Sequence, residues 1–129
     1  MADESEHARF SPSAAHRWMR CPGSVDLEAQ RPDVSSKYAE EGTAAHLMAY
    51  NWLSGIQPGV NADEEMVSYV ATFVGAIRKA AEGKIMLLEQ KVDFSHVVGV
   101  PDQTGTADVV LFDDETLEIH DLKYGMGVP

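Results

Sequence analysis

The C-terminal stretch constrains the fold more than any other part of this chain. Phe112 and Leu117 flank the polar run Asp113-Asp114-Glu115-Thr116, with alternating apolar residues on either side. That pattern predicts two strands, 106–112 and 117–122, joined by a tight turn. A symmetric turn sets Asp108 directly opposite Asp121. Opposed residues in an antiparallel pair have Cβ atoms about 4.5–5.5 Å apart, and like charges there are destabilising. Two facing carboxylates call for a neutralising partner, and a divalent cation held by oxygen ligands is the natural one. Lys123 follows Asp121 by two positions, so strand alternation puts it on the same face. A salt bridge from Asp108 to Lys123 is the main rival, but it accounts for one acid and not for two.

Upstream the pattern is helical. Ser11-Pro12 reads as a helix start, with serine at N-cap and proline at N1, and the helix runs to Arg20 before Cys21-Pro22-Gly23. A short segment follows at 24–30. Ser35 or Ser36 caps a long helix over 37–53, with Glu40 and Glu41 in its early turns and Gly42 as a local weak point. Asp63 caps a third helix over 64–81, whose Met66, Val70, Phe73 and Ile77 form an apolar stripe ended by Gly83. Residues 85–94 form a strand carrying Glu89 and Lys91, and 95–104 a loop. Helices followed by three strands imply an α/β or α+β domain over 11–129, a small mixed sheet flanked by helices, behind a flexible tail at 1–10. Trp18, Tyr50, Trp52 and Phe73 are assigned to the core.

Composition narrows the function classes. A chain of 129 residues fits one domain with a real core. It has no apolar run long enough to span a bilayer, and its acidic start is unlike a secretory leader. Cys21 is the only cysteine, which fits a reducing cytoplasm and leaves no thiolate metal site. The net charge of −11 argues against attraction of nucleic acid over the whole surface. The positive charges are instead local, and Arg17 and Arg20 are candidate phosphate contacts.

Asp108, Asp121-Leu122-Lys123 and the segments before them resemble the PD-(D/E)XK nuclease superfamily. Asp108 matches its first acid, and Asp121-Leu122-Lys123 its (D/E)-X-K element. Gly105-Thr106-Ala107-Asp108 is similar to the G-x-x-D form of the RecB-like branch. Glu41-Gly42-Thr43-Ala44-Ala45-His46 is similar to that branch's helix motif, in which a Gly-Thr pair precedes a metal-binding histidine. Ser11-Pro12-Ser13 through Cys21-Pro22 resembles its N-terminal segment. The resemblance covers residues 11–123 and is nearest to a RecB-like family of phages and prophages. It implies a restriction-endonuclease-like core with His46, Asp108 and Asp121 as ligands to Mg2+ or Mn2+. The Leu122 carbonyl is a further oxygen ligand, and Lys123 is the catalytic lysine. Glu41 and Glu89 are weaker candidates for additional acids. The implied activity is hydrolysis of DNA phosphodiester bonds by an exonuclease of recombination or replication in a bacterial host cytoplasm, beside a single-strand annealing or replication protein.

Two departures qualify the resemblance. The RecB-like pattern continues into a helix with a Gln-x-x-x-Tyr motif and a further strand, whereas this sequence stops at Pro129. The chain is therefore expected to be truncated after the third strand, with an exposed sheet edge that invites homo-oligomerisation. Some relatives also carry an iron–sulfur cluster on four cysteines; Cys21 stands where the first would, and no other is present, so no cluster is expected. The alternative reading is a catalytically silent module that keeps the nuclease fold to bind DNA or a protein partner.

Overall fold

The computed structural model describes residues 8–32 and 36–125. They contain a mixed set of helices with a three-stranded antiparallel sheet. The stretch 11–129, read from the sequence as one domain, divides into two compact units. One comprises Met1–Val34 and Lys91–Thr106, the other Ser35–Gln90 and Ala107–Pro129.

The first unit begins with a 3-10 turn, Pro12–Ala14, continued by α1 (Ala15–Trp18) and then α2 (Ser24–Ala29). Ser11 is the N-cap and Pro12 follows it as the sequence predicts, but the serine side chain makes no capping bond. The helix also ends at Trp18 and not at Arg20, with Met19 as its C-cap. The tail expected at 1–10 is a correction in part. Phe10 stacks edge-on against Trp18 at 5.5 Å, and its N–H donates to the Gln103 side chain at 2.9 Å. Arg9 pairs with Asp26. Residues 1–7, the Ser35 cap and the last four residues lie outside the described residues.

Gln103 is the hub of this unit. It is buried, accepts from Phe10 and donates to the Pro101 carbonyl at 3.0 Å, so its amide is satisfied at both ends. The expected loop 95–104 contains one helical turn, α5 (Ser95–Val98), begun by Asp93 accepting from the Ser95 amide at 2.9 Å. Gly105 passes so close to Pro12 that a Cβ there would stand 2.9 Å from the proline Cγ.

The second unit holds the two long helices. α3 (Lys37–Leu53) starts where Ser36 accepts from the Ala39 amide at 3.2 Å, and α4 (Glu64–Ala80) where Asp63 accepts from Met66 at 2.8 Å. Acids in the first turn and Arg78 and Lys79 in the last turn of α4 suit the helix dipole. Gly83, at φ 74°, lies in the turn after the helix cap at Ala81. Ala45 and Ala49 let α3 close on Met66, Val70 and Val74 of α4, with Trp52 and Phe73 packed against them. Tyr50 is a correction: it is 41% exposed and is not among the residues packed in that cluster.

The sheet has the order β1 (Ile85–Asp93), β2 (Thr104–Phe112), β3 (Leu117–His120). β2 and β3 pair antiparallel, Val109 with His120 through Phe112 with Leu117, which is the register of a symmetric turn. Asp113 closes that turn by accepting from the amides of Glu115 (2.9 Å) and Thr116 (2.7 Å) and from the Thr116 hydroxyl. Val109 and Leu111 pack with Ile77 of α4, joined by Met86 and Leu88. β3 ends at His120 and not at Leu122, since the Leu122 amide leaves the ladder to bond a side chain of β2, Asp108.

Candidate metal centre

Asp108 is the centre of the site. Its carboxylate is mostly buried, and Oδ2 accepts the Leu122 N–H at 2.8 Å. That bond continues the hairpin register beyond the last ladder pair, so Asp121 and Asp108 stay together where the symmetric turn predicts. Leu122 is buried against Ala45, Ala49 and the α4 side chains. Full burial of a leucine contributes about 1.5–3 kcal/mol, which holds the segment in place. Its neighbours Asp121 and Lys123 are turned outward by that anchoring, 49% and 81% exposed.

His46 reaches Asp108 from α3. Its Nε2 is 3.1 Å from Asp108 Oδ2, and its Nδ1 is 2.6 Å from the Gly42 carbonyl one turn back. A carbonyl can only accept, so Nδ1 carries a proton and donates it. Nε2 is then left facing a carboxylate oxygen that is itself an acceptor. Two acceptors at 3.1 Å require a proton or a cation between them. A histidine whose second ring N–H is tied to a backbone carbonyl is the usual arrangement of a metal ligand. Gly42 thus supplies the acceptor that fixes the ring, and the adjacent Thr43 hydroxyl only folds back on the Ala39 carbonyl at 3.0 Å.

One ligand atom from each of His46, Asp108 and Asp121 lies within 4.8 Å of the others. One imidazole and two carboxylates suit a divalent ion of intermediate hardness, Mn2+ more than Mg2+. The residues present therefore fit the group. Lys123 Nζ is 2.7 Å from Asp121 Oδ2, so its ion pair is with Asp121 and not with Asp108. An exposed pair of this kind is worth little, and the lysine remains available to another anion.

The other sequence candidates separate. Glu41 is 4.0 Å from Lys37 one turn earlier on α3 and is not one of the three clustered residues. Glu89 lies in the cleft with His46, Asp108 and Leu122. Partial desolvation, and next the Asp108 charge, push its carboxyl above the usual range, while His46 pulls it down. His120, expected to point away from Asp121, contacts Glu118 at 2.9 Å. In the first unit, Arg17 is 3.6 Å from Glu28 and Arg20 is exposed. Tyr50, assigned to the core from the sequence, lies one helical turn beyond His46 on the same cleft, and the bond from the Leu122 amide to Asp108 was not foreseen.

Among the described residues no helix is long and apolar enough to cross a membrane. No solved structure matches the chain. Residues 7–129 match the family described as Protein of unknown function (DUF2800), and the chain belongs to that family.

Proposed function

We propose that this DUF2800 protein is a metal-dependent deoxyribonuclease with a restriction-endonuclease-like core. The observation that carries the reading is the gathering of one ligand atom from each of His46, Asp108 and Asp121 within 4.8 Å of one another, with His46 Nε2 3.1 Å from Asp108 Oδ2. His46, Asp108 and Asp121 would hold Mn2+ or Mg2+, with the Leu122 carbonyl as a further candidate. Such an ion supplies charge for a scissile phosphate and a more acidic bound water. Gly42 orients the imidazole, the Leu122 amide orients Asp108, and the buried Leu122 side chain fixes Asp121. Lys123, released from Asp121, offers a compact positive charge to the phosphate oxygens and to the attacking water. Arg17 and Arg20 are proposed to contact the DNA backbone. A role as a phage or prophage exonuclease in recombination or replication, alongside an annealing protein, follows from the motif resemblance alone.

The test is cleavage of linear DNA in Mn2+, with Lys123→Ala as the control. We expect Mn2+-dependent cleavage that Lys123→Ala slows by about 100-fold or more, in line with loss of a charge acting on the transition state. Cleavage that is equal in Lys123→Ala contradicts the assignment. DNA binding without cleavage in the wild-type chain favours the silent binding module.

A further inference from the structure

Two non-glycine residues have positive φ among the described residues, and their settings differ. Asp102, at φ 59°, sits in the turn before β2, where aspartate adopts the left-handed conformation readily. Glu89, at φ 49°, lies inside β1, where a glutamate in that conformation is unusual. In an unbroken strand successive side chains take opposite faces. Met86 and Leu88 both pack on the core around Ile77, so alternation would turn residue 89 away from it. The alternation of exposed and half-buried residues in β1 stops at Glu89, and Leu88 and Glu89 line the same cleft together with His46 and Asp108.

The consequence is a carboxylate brought up to an acid where like charges repel. Partial burial first, and then the Asp108 charge, raise the Glu89 carboxyl, while His46 lowers it. Residues held in sparsely populated backbone conformations persist where surrounding structure enforces them, and they concentrate at ligand sites.

We propose that Glu89 is a further carboxylate of the metal centre, acting on the water shell of the bound ion. Its left-handed backbone is the device that holds it in the cleft. The inference rests on the metal reading of His46, Asp108 and Asp121. Glu89 is not one of the three groups that share a 4.8 Å sphere, which is why its action is assigned to the ion's water and not to direct ligation. Groups in that position commonly change metal affinity by about 10- to 100-fold.

Two substitutions test it by Mn2+ titration calorimetry and by thermal melting of the metal-free protein. Glu89→Gln removes the charge, and we expect Mn2+ to bind about 10- to 100-fold more weakly while the metal-free melting temperature holds or rises. Glu89→Gly removes the charge and suits the left-handed backbone, so we expect the same loss of affinity with a melting temperature raised by about 2–4 °C. Equal Mn2+ affinity in Glu89→Gln and wild type, with binding still lost in Asp108→Asn, overturns this inference and leaves the metal centre standing. A lower melting temperature in Glu89→Gly shows the conformation to be structural and also overturns it. No saturable Mn2+ binding by the wild-type chain overturns the metal centre and this inference together.

Discussion

His46 Nε2 stands 3.1 Å from Asp108 Oδ2, while Nδ1 of the same ring donates to the Gly42 carbonyl. A metal ligand needs a deprotonated Nε2, so a proton at that contact and a cation there exclude each other. A cation taking its place must displace it, so binding and proton release are linked. We predict that Mn2+ binding releases about one proton, read from the dependence of the binding enthalpy on the ionisation enthalpy of the buffer. His46→Ala should remove both the release and most of the affinity.

Asp108 has a structural duty that is separable from metal binding. Its Oδ2 satisfies the Leu122 amide in a partly buried setting. Orphaning such a donor costs about 1–3 kcal/mol. We therefore expect Asp108→Ala to lower unfolding stability by about that amount, and Asp108→Asn, whose amide oxygen still accepts, to recover most of it. Urea denaturation of the two variants checks this, and both should lose Mn2+ binding.

Gly105 and Pro12 make the tightest approach around any of the glycines described, with a Cβ at 105 only 2.9 Å from the proline Cγ. Gly105→Ala should cost about 1–3 kcal/mol through overpacking. Shortening the proline relieves the clash, so Pro12→Ala combined with Gly105→Ala should destabilise by less than the sum of the single changes. Additive losses in a double-mutant cycle would place the cost elsewhere.

Glu118 gives a pH dependence of defined sign. Hydrogen bonds from Lys84 and His120 hold its carboxyl below the usual carboxylate range. A carboxyl lowered in the folded state stabilises above its unfolded value, and that contribution disappears as pH falls through the folded value. Urea midpoints measured on either side of 4.5 should show stability lost on the acid side, with a shallower loss in Glu118→Gln. Glu89 has the opposite sign, since its carboxyl is raised, and Glu89→Gln should not flatten the acid limb.

Much of this was legible in the sequence where the governing interactions are local. Ser36 and Asp63 cap their helices through amides three residues on, so the starts of α3 and α4 could be read directly. Asp113 closes its own turn, and this fixed the register that brings Asp108 and Asp121 together. What escaped depends on partners distant in sequence. Phe10 is held by Gln103, so the supposed tail ends earlier. β3 is cut short by a carboxylate fourteen residues away from the amide it takes. Glu89 carries no glycine or asparagine signal for its positive φ, and the bend in β1 was invisible. Lys123 lies beyond the end of β3, so strand alternation does not fix its side, and the sequence could not say which of the two acids it pairs with.

Titration of Mn2+ into the wild-type chain, Asp108→Asn and Asp121→Asn by calorimetry tests the central claim most directly. The arrangement of His46, Asp108 and Asp121 predicts saturable binding to the wild type that both variants lose. Binding that survives in Asp108→Asn, or no saturable binding by the wild type, contradicts it.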